Sequence, residues 1–388
     1  MNLIETLRKD FEVIFSKCDT RIFFAPGRVN LIGEHTDYNG GHVFPAALDF
    51  GTYGVFKERE DNKVRLYSKN FSNLGIMEFT LEDLTYNKHH DWGNYPKGVI
   101  KIFKDKGYNI NKGMDILFYG NIPNGAGLSS SASIELVAAV ALNKLFNLNI
   151  DMISMVKMCQ MAENDFIGVK CGIMDQFAIG MGKKNRAILL DCNSLKYKYC
   201  NLDLKDISII ISNTNKRRGL NESKYNNRRD ECERALLELK NNLNINSLGE
   251  LTEEEFEENK HLITNSIDRK RAKHAVYENR RTLKASKVLE EGNIKEFGKL
   301  MKESHISLRN DYEVTGKELD TLVELELNQD GVIGSRMTGA GFGGCTISLV
   351  KNDGIDKFIE NVGMKYFEKI GYHANFYIGK IGDGAREL

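Results

Sequence analysis

Gly27 to Tyr38 read G-R-V-N-L-I-G-E-H-T-D-Y, and this stretch sets a cation, two carboxylates and a histidine among the apolar residues Val29, Leu31 and Ile32. Gly27 on one side and Gly40 and Gly41 just past the other bracket it and predict a loop. Charged side chains are seldom buried unpaired, so on composition alone Arg28, Glu34, His35 and Asp37 belong to a solvated turn. The interleaving supports a second reading, in which the apolar side chains anchor the segment and the charged ones face a pocket, since loops on a rigid scaffold carry function disproportionately often. A pocket so equipped suits a ligand rich in hydroxyls.

Working outward, 388 residues accommodate two domains. Hydrophobic content of 41% and charge of 28% are ordinary for a globular chain. Lys plus Arg and Asp plus Glu both total 54, a balance that lacks the basic footprint of a nucleic-acid or membrane-surface binder. With no 18-residue apolar run and no signal-peptide core at the N-terminus, a cytoplasmic protein is expected. Seven cysteines without a C-x-x-C pair predict reduced, mostly buried thiols rather than disulfides or zinc ligands.

The glycines cluster at 27–41, 120–127 and 331–344, and three of the four prolines (Pro26, Pro45, Pro123) flank the first two clusters, predicting shaped turns. Ala187 to Asp191, Ile207 to Ile211 and Cys345 to Val350 read as strands. Ala272, Ala275, Val276, Leu283 and Val288 keep a helical period that Gly292 ends. The mixture is α+β, with a boundary near 192–205 and domains of 1–198 and 199–388.

In the second cluster, Ile122 to Ser133 read I-P-N-G-A-G-L-S-S-S-A-S and run into a helix-forming stretch, Ile134 to Phe146. A glycine loop opening a helix suits phosphate, because bare backbone N–H groups and the positive helix end favour an anion. Serine hydroxyls add ligands for phosphate or magnesium. Plain capping by Ser129 or Ser130 is the simpler reading. The loop is neither a Walker nor a Rossmann motif. The third cluster, Arg336 to Cys345 (R-M-T-G-A-G-F-G-G-C), marks close approach of another group or simple domain packing. Glu163, in a helical stretch from Ser154 to Phe166, and Asp175, in C-G-I-M-D-Q, read as surface acids on their own; Cys171, His89, His90 and His305 have no identifiable partner.

Taken together, the three clusters and Ser223 to Glu233 (S-K-Y-N-N-R-R-D-E-C-E) resemble the GHMP family of small-molecule kinases, in particular its members that phosphorylate galactose, in family order over residues 27–344. The resemblance implies a two-domain GHMP kinase fold: an N-terminal domain of the ribosomal protein S5 type, a C-terminal ferredoxin-like domain and a cleft between them. It implies phosphorylation of galactose by MgATP. Asp175 would be the catalytic carboxylate, with Arg28 beside it. Glu34, His35, Thr36, Asp37, Gly172 and Tyr225 would contact the sugar. Gly125, Ala126, Gly127, Leu128, Ser129, Ser130 and Ser131 would wrap the ATP phosphates, Ser68 would touch the nucleotide, and Ser131 and Glu163 would hold Mg²⁺. A monomer is expected, with no nucleic-acid or membrane partner. An N-acetylgalactosamine kinase and a catalytically dead sugar sensor are the alternatives, the second disfavoured by the complete Ser129–Ser133 stretch and by Asp175.

Overall fold

The computed structural model describes residues 2–123, 126–202, 204–216 and 221–388. In chain order its strands are β1 (Arg21–Asn30), β2 (His42–Val43), β3 (Pro45–Glu58), β4 (Lys63–Ser68), β5 (Met77–Thr80), β6 (Met114–Gly120), β7 (Arg186–Asp191), β8 (Tyr197–Asn201), β9 (Ile207–Asn213), β10 (Val332–Thr338), β11 (Cys345–Lys351), β12 (Asn375–Gly379) and β13 (Arg386–Glu387). Its α-helices are α1 (Leu3–Ile14), α2 (Asn94–Asp105), α3 (Ser130–Leu145), α4 (Met152–Met161), α5 (Met174–Met181), α6 (Asn221–Lys240), α7 (Glu253–Asn259), α8 (Ser266–Glu290), α9 (Ile294–Ser307), α10 (Gly316–Leu327) and α11 (Ile355–Ile370).

The N-terminal sheet has the order β13-β1-β3-β6-β4-β5 and is mixed, β4 running parallel to β6. Its central strands are apolar on both faces because both faces are covered. Ile22, Val55 and Leu117 meet Leu7 and Phe11 of α1, a helix fixed by a capping box between Asn2 and Glu5. Their chain neighbours Phe23, Phe56 and Phe118 point the other way, into a core with Val99 and Phe103 of α2 and Leu136 and Val140 of α3. The period of two in β-strands sorts these residues between the layers.

The C-terminal sheet, read from β12, runs β12-β9-β11-β10. Numbered within this half, that is 4-1-3-2, the order of a ferredoxin-like unit with helices inserted after its first strand. Ile210 faces Leu322, Phe358 and Val362 of α10 and α11, while Ile209 and Ile211 face the other half of the chain. There they share one core with Val29, Leu31, Phe44 and Leu48. A chain boundary at 198/199 therefore falls inside β8, and the core packed beneath the two larger sheets is built from residues on both sides of it. The C-terminal segment crosses back as well: β13 pairs with β1, and Leu48 bridges Ile381.

The strands expected at 187–191, 207–211 and 345–350 are β7, β9 and β11, and the expected helix lies within α8, with Gly292 left-handed (φ 73°) just past its end. The first cluster departs from expectation in one respect. Residues 27–30 are not loop but the end of β1, because a register shift between Pro26 and Arg28 lets the strand continue past a proline that cannot donate to the ladder.

Candidate active site

Arg28 lies just beyond the β1 irregularity, paired with Ala47 of β3. Asp175 occupies the first turn of α5, where a helix N-terminus favours a carboxylate. The guanidinium clasps the carboxylate by two parallel bonds: Nε donates to Oδ1 and Nη2 to Oδ2, each at 2.8 Å. Its Nη1 donates to the Gly127 carbonyl at 2.7 Å, tying the pair to the second glycine cluster. Arg28 is buried, whereas Asp175 keeps 29% of its side chain exposed and is the open member of the pair. The Ser129 hydroxyl also donates to Asp175 Oδ2.

The first cluster is largely buried rather than solvated, its polar groups met by partners inside the protein. Glu34 is 1% exposed; its Oε1 accepts from the Gly339 N–H at 3.1 Å and the Thr338 hydroxyl at 3.2 Å, and the fully buried guanidinium of Arg336 pairs with Oε2. His35, itself left-handed (φ 62°), donates from Nε2 to the Ala340 carbonyl at 3.2 Å and accepts at Nδ1 from Tyr38, whose hydroxyl lies 2.8 Å from that of Tyr312. Burial, then the neighbouring His274, lowers His35 to about 3, so its ring is neutral. Both ring nitrogens serve the protein, so His35 meets a ligand with its ring face and edge. The Thr36 hydroxyl lies within hydrogen-bond reach of the carbonyls of Gly33 and His42 (2.8 and 2.6 Å), so it closes the turn, and Thr36 is not among the residues lining the cavity. Asp37 does line it, and burial, followed by the charge of Asp175, pushes its carboxyl up to about 6.

Behind Asp175 lie two more acids. Glu163, in the π-helical turn Ala162–Ile167 that follows α4, accepts from Gln176 Nε2 at 2.7 Å, from the Cys171 thiol and from the Ser131 hydroxyl. Burial, then Asp175, raises it to about 7. The same Gln176 amide reaches Glu135 of α3 at 3.1 Å; burial and Glu163 push that carboxyl up too, and its Oε1 has no hydrogen-bond partner among the described residues. The named donors to Glu163 are all neutral, so none of them balances the carboxylate's charge when it ionises. A hydroxyl and one carboxylate in such a corner fit Mg²⁺, which takes few protein ligands and keeps its waters.

The third cluster supplies the opposite wall. Gly339, Ala340, Gly341 and Phe342 line the cavity, and a β-carbon on Gly339 would stand 3.0 Å from the Gly127 carbonyl, so the two glycine loops touch. Gly339 and Gly341 are left-handed (φ 83° and 80°), as is Phe342 (φ 59°). Tyr225 of α6 stands 5.7 Å from the His35 ring and 5.5 Å from that of Tyr38. The enclosed space is about 230 Å³, the scale of a small polar ligand.

Arg28, Glu34, His35, Asp37, Ser131, Glu163, Gly172, Asp175 and Tyr225 are thus brought together around one cavity. Ser68 is not among its lining residues; it ends β4 and its hydroxyl accepts from the Asn70 N–H at 3.2 Å, capping a 3-10 turn. Gly125 lies outside the described residues. Ala126 and Leu128 bury their side chains in the shared core, which leaves their backbones for the loop, and Ser130 is exposed at the start of α3. Sequence reasoning missed Tyr95 and Phe342 in the lining, Gln176 between its two acids, and the role of Arg336, although Arg336 opens the third cluster. A lone arginine ahead of a glycine run gives no sign that it will be buried against a glutamate three hundred residues earlier.

Three family descriptions match the chain: the galactokinase galactose-binding signature over residues 9–58, the GHMP kinases N terminal domain over 94–183 and the GHMP kinases C terminal domain over 285–368. Among curated relatives, the galactokinase of Clostridium beijerinckii is 64% identical over 388 residues, all of both chains, and that of Bacillus subtilis 57% identical over 385 residues, 99% of each. Among solved structures, Lactococcus lactis galactokinase complexed with galactose superposes with a TM-score of 0.98 at 51% identity over the whole of both chains. The mevalonate kinase of Methanococcus jannaschii, at 20% identity and a TM-score of 0.66 over 95% of this chain and all of that one, shares the fold.

Proposed function

The chain belongs to the galactokinase family of GHMP kinases and phosphorylates galactose, and from that premise we propose that the cavity holds the sugar with its anomeric hydroxyl against Asp175, facing the γ-phosphate of ATP, to yield galactose 1-phosphate. The observation that carries this reading is the two-point Arg28–Asp175 clasp in a cavity walled by the first and third glycine clusters. Phosphoryl transfer requires little covalent work from a protein beyond alignment and charge neutralisation. The clasp fixes the carboxylate plane, so the hydroxyl that donates to Asp175 is aimed before it attacks. Arg28 also places a positive charge beside the oxygens where charge develops.

On this reading Asp37, Glu34 and Tyr225 receive the other sugar hydroxyls, while His35 shapes the wall they share. The backbone of the loop from Ala126 to Ser131 at the start of α3 holds the phosphates. Ser131 and Glu163 would hold Mg²⁺, which supplies neutralisation of the β- and γ-phosphate charge when bound. That neutralisation suits a site where Asp37, Glu163 and Asp175 would otherwise repel a polyphosphate. A monomer in a reducing, cytoplasmic setting completes the proposal, the second point supported by cysteines that form no disulfide among the described residues.

The test is MgATP turnover across a panel of free sugars, with the product position read by phosphorus NMR. Galactose is expected to give the 1-phosphate, and N-acetylgalactosamine to react more slowly. A phosphate on any other carbon, or glucose within tenfold of galactose in kcat/KM, would overturn the proposed binding mode.

A further inference from the structure

Ser129 holds the N-cap position of α3, but not as a capping serine. A serine in that place normally has extended backbone and accepts an N–H from the first turn through its hydroxyl. Ser129 does neither: its backbone is left-handed (φ 61°, ψ 50°), and its side chain makes no cap bond. Its carbonyl still accepts from the Ser133 N–H at 3.0 Å, so α3 begins normally behind it. The left-handed well is unfavourable for a residue with a β-carbon, and the stabilisation that a serine cap would give is forgone as well. Strain of this kind at a site is evidence from which a role is inferred.

What the conformation gains is visible. Ser129 is 7% exposed, and its hydroxyl points away from the helix onto Asp175 Oδ2, the oxygen that also accepts from Arg28 Nη2. Oδ1 accepts from Arg28 Nε. A carboxylate offers about four acceptor positions, two on each oxygen. Among the described residues, Oδ2 takes Ser129 as well as Arg28 Nη2, whereas Oδ1 meets Arg28 alone, with Nε and Nη2 both 2.8 Å away. Asp175 itself lines the cavity.

We propose that Ser129 is a positioning residue for Asp175, not a phosphate ligand: its hydroxyl, with Arg28, fixes the orientation in which the carboxylate meets the attacking sugar hydroxyl. The assignment rests on Asp175 being the catalytic carboxylate. It makes the glycine loop and the sugar's partner one mechanical unit, because Arg28 binds Gly127 and Asp175 while Ser129 binds Asp175 from within the same loop. A disturbance of that loop would turn the carboxylate as well as the nucleotide.

Ser129→Gly tests this, since glycine keeps the left-handed backbone at no steric cost and deletes the hydroxyl. Loss of a hydrogen bond to a charged group predicts a fall in kcat of about tenfold to a hundredfold. Dissociation constants for galactose alone and for ATP alone, measured by calorimetry, should stay within about twofold. Ser129→Asn, which also tolerates this backbone and restores a donor, should recover part of the kcat. In an Asp175→Asn background, adding Ser129→Gly should change kcat less than about twofold, as expected of residues acting through one contact. If Ser129→Gly weakens ATP binding tenfold while kcat at saturating ATP is kept, the hydroxyl serves the phosphates and the proposal is wrong. If Asp175→Asn is inactive but both Ser129 variants keep full kcat, the proposal alone falls. If Asp175→Asn itself keeps full kcat, the catalytic reading of Asp175 falls first and takes this one with it.

Discussion

The carboxylate of Asp37 occupies the space that a side chain on residue 172 would need: a β-carbon built on Gly172 stands 1.9 Å from Asp37 Oδ2. The glycine is required by that contact and not by backbone conformation, since Gly172 is absent from the left-handed glycines. Gly172→Ala must therefore push Asp37 out of place, and such overpacking typically costs 1–3 kcal/mol. The expected result is an increase of about tenfold or more in the KM for galactose, with a smaller change for ATP. Steady-state kinetics on both substrates checks it, and a selective loss of ATP affinity would contradict it.

Asp175→Asn keeps size and deletes charge, leaving Arg28 without its two-point partner. Loss of a group that accepts a proton or orients its donor lowers turnover by ~10² to 10⁴. Galactose should still bind in calorimetry, because Asp37, Glu34 and Tyr225 remain. A fall of less than tenfold would show that Asp175 is neither base nor essential positioner.

Glu163→Gln is expected to raise the Mg²⁺ concentration that gives half-maximal rate, by about tenfold for a lost charged ligand. Direct titration of Mn²⁺ by electron paramagnetic resonance, in the presence of ADP, separates metal affinity from activity. An unchanged Mn²⁺ isotherm would leave Glu163 as a buried acid held by Gln176 and nothing more.

Glucose differs from galactose at one hydroxyl, so discrimination must come from polar groups aimed at it. A buried acceptor left unpaired by the wrong epimer can reject it by ~10⁴, and Asp37 is the candidate reader. Asp37→Ala should collapse kcat/KM for galactose while glucose gains almost nothing. Retained galactose activity in the variant would assign the reading elsewhere.

His274 gives a prediction about pH. Its Nε2 meets the Glu34 carbonyl at 3.1 Å and its Nδ1 the Ser307 hydroxyl at 2.9 Å, with the Tyr312 ring 4.5 Å away. Burial, only partly opposed by Glu278, lowers it from 6.5 to about 4. The unfolded chain therefore takes up the proton first, and the stabilisation present above about pH 6.5 is lost as pH falls toward 4, at up to ~1.4 kcal/mol per pH unit. Urea unfolding of wild type and His274→Gln at pH 7 and about pH 5 isolates the effect: the gap between them should narrow by ~2 kcal/mol at the lower pH. His35 acts in the same sense and Asp37 in the opposite one, and both largely cancel in the difference.

Much of this was legible in the sequence because it is local. Glycine spacing and hydrophobic period locate β7, β9, β11 and α8, and the charged residues of the first cluster stand out by their company. What was hidden depends on contacts between distant segments. Nothing in R-M-T-G-A-G-F-G-G-C announces that Arg336 neutralises Glu34, and nothing in S-S-S-A-S tells Ser129, on the Asp175 carboxylate, from Ser133, on the Ala25 carbonyl. Thr36 and Ser68 show the converse: each sits in or near a motif, yet each hydroxyl is spent on nearby backbone. A motif names its members alike, whereas the fold divides them between ligand and scaffold.

Arg336 bears on how this pocket could acquire another substrate. Its guanidinium pairs with Glu34, lies 3.8 Å from Glu278, and has no exposure to solvent. Removing one member of such a set strands a buried charge at a cost of about 3–5 kcal/mol, a large share of the stability a protein has. Selection or a laboratory library that changes Glu34 alone meets that barrier before any new sugar is tried, and the compensating change at 336 is no less harmful taken first. Position 34 is thus closed to single mutational steps, and any lineage drifting toward another sugar has to begin among the half-open residues around Asp37, Val169 and Tyr225.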